Sequence, residues 1–142
     1  MATQYEISVD HENEFITLVV RGSVTNQHAF EIVRKLVKHP EFNPNYATLV
    51  DWREADFSDI TIWRDTAKAG DFELSVSNVA ERLKKADPRR GPIAILTSGE
   101  STHMDIAKLY GAAREIAGLS PMQAFDNLHK AKGWLHTELA KI

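Results

Sequence analysis

Two short polar stretches follow the two most apolar segments of the chain, and they are the best candidates for chemistry. Asp51 and Arg53 follow the apolar sequence ATLV, and Thr97 and Ser98 close the apolar sequence IAILT. If both segments are neighbouring parallel strands, these polar residues share the edge of the sheet at which open α/β folds bind ligands. We therefore expect a site for a polar ligand or a partner there. The alternative is that Asp51 and Arg53 pair with each other, or with backbone groups, and only hold the loops.

The residue types that catalysis or metal binding needs occur only at scattered positions. The chain has no cysteine and six histidines, and no two of the histidines stand four residues apart on a predicted helix. A zinc site needs three or four convergent ligands, and nucleophilic catalysis needs a hydroxyl, a base and an orienting group. We therefore expect no metal, no cofactor and no enzymatic activity.

The sequence RLKKADPRR, residues 82–90, holds five basic residues against one aspartate. Cations near the C-terminus of a helix complement its dipole, so a solvated helix end explains this stretch. A docking patch for an acidic partner or a phosphate is the alternative interpretation.

A further apolar group surrounds Trp63, in the segment 60–72, where no secondary structure is clearly indicated. This segment is either a lid over an apolar pocket or ordinary core. Apolar groups beyond the needs of the core would also suit a face between two copies of the chain.

Composition narrows the class of protein. The 142 residues, 16.0 kDa in mass, suit one domain over 1–142, and the apolar fraction of 43% is that of a globular protein. The net charge of −3 argues against a general nucleic-acid binder. No apolar run is long enough for a transmembrane segment, and the N-terminal residues do not resemble a signal peptide. We expect a cytoplasmic protein.

The pattern of apolar residues predicts the order β-β-α-β-α-β-α-β-α. The predicted strands comprise residues 5–9, 15–21, 47–50, 93–97 and 122–125. The polar link DHEN between the first two strands predicts an antiparallel hairpin, and the later strands alternate with helices and should be parallel. The expected fold is thus α/β, with a mixed sheet of about five strands and four to five helices.

The order of the elements and three sequence stretches resemble those of the STAS-like family of small stand-alone bacterial proteins. Members of this family are similar to anti-sigma-factor antagonists. The stretches are HPEFNPNYATLVDWREADFSD at 39–59, IAKLYGAA at 106–113 and AFDNLHKAKGWL at 124–135. The resemblance implies a STAS-like fold, which is also compared with the lipid-binding Sec14/CRAL-TRIO fold.

Anti-sigma-factor antagonists carry a phosphorylated serine in an Asp-Ser-Ser/Thr-Gly turn behind a strand-ending aspartate. The resemblance places Asp51 at the strand end and Asp59 at the start of the turn. Isoleucines stand at the serine and glycine positions, so only Thr61, with Ser58 just before the turn, retains a hydroxyl. A phosphorylation switch would therefore have to use Thr61 or Ser58.

Together these features predict a non-enzymatic STAS-like module that binds a protein partner, or a second copy of itself, in signalling or regulation. The alternative is a carrier or sensor of a small apolar or lipid-like ligand. The candidate binding residues are Asp51, Arg53, Ser58, Asp59, Thr61, Trp63, Thr97 and Ser98.

Overall fold

The computed structural model describes residues 3–58, 80–85 and 87–141. The five strands in this part of the chain are β1 (Gln4–Asp10), β2 (Phe15–Ser23), β3 (Ala47–Asp56), β4 (Ile93–Leu96) and β5 (Met122–Phe125). The helices are α1 (Asn26–Val37), α2 (Ser101–Ile116) and α3 (Leu128–Leu139), and residues 80–85 are also helical. The predicted α/β class is confirmed, and the described residues contain four helices, within the predicted range of four to five.

The five strands form one sheet in the order β1-β2-β3-β4-β5. The β1–β2 pair is antiparallel, and each later pair is parallel. The predicted hairpin is therefore correct, and so is the central position of ATLV beside IAILT, with Thr48 opposite Ile93. The central strand is covered on both faces, which is why its first four residues are all buried.

The length of β3 differs from the prediction, since the strand continues past Val50 to Asp56. The pairing with β4 ends at Asp51, whereas the pairing with β2 continues past a register shift between Val19 and Arg21, where β3 has one residue more than β2, and Arg21 lies opposite Glu54. The outer half of β3 thus has one neighbouring strand instead of two and tolerates charged residues. Asp51 and Arg53 consequently lie within the strand, not in a loop behind it.

Helices cover both faces of the sheet. On one face, α1 and α2 bury a cluster that includes Leu18, Val50, Ile95, Ile32 and Ile106. On the other face, α3 packs on β3, β4 and β5. The side chains in that second layer are Phe15, Ala47, Leu49, Ala94, Leu96, Ala131 and Leu135.

Side chains cap the N-termini of two of the helices. The Thr25 hydroxyl accepts a hydrogen bond from the backbone N–H of His28 at 3.2 Å, and Asn127 Oδ1 accepts one from Lys130 at 3.0 Å. Each cap satisfies one of the backbone N–H groups that the first turn of its helix leaves unpaired.

Candidate functional site

Asp51 and Arg53 bind each other at the outer half of β3. The Arg53 Nε donates to Asp51 Oδ1 at 3.0 Å, its Nη2 donates to Oδ2 at 2.8 Å, and its backbone N–H donates to Oδ1 at 3.0 Å. Burial raises the pKa of the Asp51 carboxyl, but the hydrogen bonds from Arg53 outweigh burial and hold the pKa below its ordinary value. The two side chains therefore pair with each other, which is the alternative that the sequence left open.

Thr97 and Ser98 follow β4 at the same edge of the sheet, because the register pairs Asp51 with Leu96. The side chain of Thr97 is buried, and its hydroxyl accepts the N–H of Gly99 at 3.0 Å and lies 3.5 Å from the Met104 sulfur. Thr97 therefore holds the turn into α2, whereas Ser98 is exposed.

The other predicted binding residues lie at or beyond the end of the first described range. The backbone N–H of Ser58 donates to Asp56 Oδ1 at 2.9 Å. This hydrogen bond lowers the pKa of the Asp56 carboxyl. Asp59, Thr61 and Trp63 lie outside the described residues, so a phosphorylation switch and a lid over a pocket stay predictions.

A cavity of about 100 Å³ lies between the sheet and the helices α1 and α2. Its floor includes Leu18, Val50 and Ile95, and its roof includes Ile32 of α1 and Ile106 of α2. Because side chains alternate between the two faces of a strand, the three strand residues of the floor lie on the face of the sheet that α1 and α2 cover. The lining is almost entirely hydrocarbon, which favours apolar occupants over water.

Aromatic side chains line the cavity near the end of β3, in the part of the chain that follows its pairing with β4. Trp52 and Phe57 meet edge to face, with their ring centroids 4.7 Å apart. Behind Phe57 lies the buried ring of His103, at a centroid distance of 5.0 Å, and its Nε2 lies 2.8 Å from the carbonyl oxygen of Ala55. These contacts tie the end of β3 to the first turn of α2.

A buried charged cluster, formed by Asp87, Arg89 and Arg114, adjoins the cavity, and both arginines line it. Arg89 Nε donates to Asp87 Oδ1 at 2.7 Å, and Arg114 Nη1 donates to Asp87 Oδ2 at 2.7 Å. Arg114 also donates from Nε to the Ser120 carbonyl at 3.0 Å and from Nη2 to the Ser120 hydroxyl at 2.7 Å. Two guanidinium groups thus share one carboxylate in the interior.

The pKa values of this cluster reflect its burial. Burial raises the pKa of the Asp87 carboxyl, but hydrogen bonds and charge from Arg89, with the charge of Arg114, outweigh burial and lower the pKa overall. Burial, followed by repulsion from Arg89, lowers the pKa of Arg114 to about 10. Tyr110, which also lines the cavity, has its pKa raised to about 12 by burial.

The sequence interpretation of residues 82–90 as a solvated helix end is wrong for two of them. Asp87 is 3% exposed and Arg89 is 7% exposed, whereas Arg90 is exposed. The feature of the sequence that indicates the pairing of Asp87 with Arg89 is the spacing Asp-x-Arg, which also occurs at Asp51 and Arg53. The residue that completes the burial, Arg114, is 27 positions away from Asp87 in α2, where no local pattern reveals it.

Within the described ranges, no helix is both long and apolar enough to cross a membrane. The same residues contain no group of three or more His, Cys, Asp or Glu side chains placed to hold a metal ion.

No family model matches this sequence, and no curated protein matches it either. Among solved structures, the chain is similar to an uncharacterized protein of the DUF3478 family from Shewanella loihica PV-4, described as having a SpoIIAA-like fold. The similarity has a TM-score of 0.52 and covers 94% of this chain and 93% of that one, at 17% sequence identity. At this identity the likeness shows the fold. The chain therefore has the SpoIIAA-like, STAS-like fold that its sequence resemblance implied.

Proposed function

We propose that this protein is a non-enzymatic STAS-like module that binds a small apolar molecule between its sheet and the helices α1 and α2. The observation that supports this proposal is the cavity, of about 100 Å³. An engineered apolar cavity of roughly 150 Å³ in another protein stays dry and binds benzene. By that comparison the cavity suits a ligand group of about four to six non-hydrogen atoms.

The groups around the cavity support binding rather than catalysis. Asp87 is engaged by two arginines, and the phenol of Tyr110 is protonated near neutral pH at its ordinary pKa of 10.0 and still more so at its raised pKa. A general base or nucleophile must be available in a reactive protonation state close to the substrate. Neither side chain meets that requirement.

The proposal is tested by titrating ¹⁵N-labelled protein with 3-methyl-1-butanol and following the amide shifts by NMR. We expect saturable shifts concentrated at the lining residues, among them Leu18, Ile32 and Ile106. Absence of saturable shifts at those positions would contradict the proposal.

Two variants on the same helix make the test specific. Ala29→Leu adds three carbons on the cavity side of α1 and should weaken binding by at least tenfold. Gln27→Leu adds a leucine at an exposed position of α1 and should leave binding unchanged. Equal binding by both variants would place the alcohol elsewhere on the protein.

A protein partner or a second copy of the chain is the second candidate function, favoured by an exposed charged network on β1, β2 and β3. Arg21 donates from Nε to Glu54 at 2.8 Å and from Nη1 to Glu6 at 3.0 Å. Charged side chains of this kind steer association more than they stabilise a fold. We propose a cytoplasmic location for either function, on the basis of the cysteine-free sequence.

Sedimentation equilibrium of the wild type and of Arg21→Glu tests whether the chain forms a homodimer through this charged network. A dimer in the wild type that dissociates in the variant would support it. A monomer in both proteins would contradict homodimer formation, and crosslinking in a lysate that gives no specific partner would contradict the protein-partner function.

A further inference from the structure

The charged cluster beside the cavity has one positive charge in excess, because Arg89 and Arg114 share the single carboxylate of Asp87. Within the described residues, Asp87 is the only carboxylate bonded to either guanidinium. The other groups bonded to Arg114, the carbonyl and hydroxyl of Ser120, are neutral. A buried net charge without a counter-charge is unfavourable, so this end of the cavity attracts an anion.

Arg89 also has donors available for such an anion. In the described part of the chain, its hydrogen bonds to Asp87 use Nε, Nη2 and the backbone N–H, and Nη1 donates to no protein acceptor. The side chain of Arg89 is 8% exposed, more than the 2% of Arg114. Of the two arginines, Arg89 therefore has the larger exposed fraction and, within the described residues, a donor without a protein acceptor.

We propose that the cavity binds a short carboxylic acid in its ionised form, with the hydrocarbon part between sheet and helices and the carboxylate beside Arg89. The inference rests on the function proposed above and names its ligand class. A carboxylate carries one negative charge, which matches the one excess positive charge. Its two oxygens also suit the donor geometry of a guanidinium.

The size of the cavity limits the hydrocarbon part. A volume of about 100 Å³ accommodates the chain of butanoate or 3-methylbutanoate and is smaller than the acyl chain of a membrane lipid. Longer fatty acids should therefore bind more weakly than 3-methylbutanoate.

The test compares 3-methylbutanoate with 3-methyl-1-butanol, which has the same branched chain without the charge, by NMR titration of the whole chain. We expect the wild type to bind the carboxylate at least tenfold more tightly than the alcohol. Arg89→Gln should reduce this preference to less than twofold and still bind the alcohol. Arg90→Gln removes an exposed cation from the adjacent position and should keep the full preference.

A second measurement needs no variant at the cluster. The ¹⁵Nε resonance of Arg89 should shift on addition of the carboxylate, and that of Arg53, at the exposed pair, should not. This readout applies even if Arg89→Gln fails to fold.

The outcomes separate the two proposals. If the alcohol binds in the cavity and the carboxylate binds no better, or the Arg89 resonance does not move, the carboxylate inference is overturned and the proposed function stands. If neither compound binds, both are overturned. A preference that Arg89→Gln retains would also overturn the inference, because it would place the carboxylate elsewhere.

Discussion

The chain uses the sequence Asp-x-Arg twice, and the two copies have the same internal hydrogen bonds, although the first pair is partly exposed and the second is buried. In both, the arginine backbone N–H and Nε donate to one carboxylate oxygen, and Nη2 donates to the other. At Asp51 and Arg53, the arginine side chain is 51% exposed. At Asp87 and Arg89, the side chains are 0% and 8% exposed, and Arg114 joins them.

The comparison separates what local sequence determines from what the fold determines. A two-residue spacing suffices to form the pair, since both copies form it. The contribution of such a pair to the free energy of folding depends on how far solvent reaches it. An exposed pair contributes about 0–1 kcal/mol, whereas loss of one partner from a buried pair costs about 3–5 kcal/mol because a charge is left uncompensated.

The largest expected effect is on stability. Asp87→Asn leaves two buried guanidinium groups without a counter-charge, and we expect the free energy of unfolding to fall by about 3–5 kcal/mol. The matched variant Asp51→Asn should lower it by about 1 kcal/mol or less. Urea denaturation of both variants beside the wild type measures the difference. Equal losses would show that burial does not distinguish the two copies.

The next effect is on acid stability. The folded-state pKa of Asp87 lies below the unfolded value, so its contribution is fully present above about pH 4 and is lost as the pH falls through the folded pKa. We expect the free energy of unfolding to depend less on pH below about pH 4 in Asp87→Asn than in the wild type. Asp51→Asn should change this dependence less, since its partner is one exposed arginine. A steeper acid loss in Asp87→Asn would contradict this assignment.

The smallest effect is on salt dependence. A double-mutant cycle on Asp51 and Arg53 should give a coupling energy below about 1 kcal/mol that decreases between about 0.05 M and about 1 M NaCl. The same cycle on Asp87 and Arg89 should give a coupling energy that hardly changes with salt, because the pair lies away from solvent. A strong salt dependence at the buried pair would mean that water reaches it.

The fold was accessible from the sequence because its signals are local. Apolar alternation predicts β1 and β2, and the largely apolar stretches 47–50 and 93–97 predict neighbouring buried strands. The predicted end of β3 is too early because the strand continues only by pairing with β2 beyond a one-residue register shift.

The site was less accessible because its parts come from distant positions. The sequence identifies Asp51 and Arg53 as candidate site residues, but only the structure shows that they form hydrogen bonds with each other. The cavity and its charged cluster combine residues of α1, α2 and four strands with Asp87 and Arg89 from a stretch whose composition suggested solvent exposure. Burial of that stretch depends on Arg114, and single-sequence patterns carry no information on such a contact.

The central claim, that the cavity admits a small apolar molecule, is tested most directly by a crystal structure determined under xenon pressure. Xenon binds in apolar cavities without hydrogen bonds. We expect one strong xenon peak between Leu18, Ile32 and Ile106 in the wild type, and no such peak in Ala29→Leu. Absence of xenon from this position in the wild type would show that the cavity does not admit an apolar molecule.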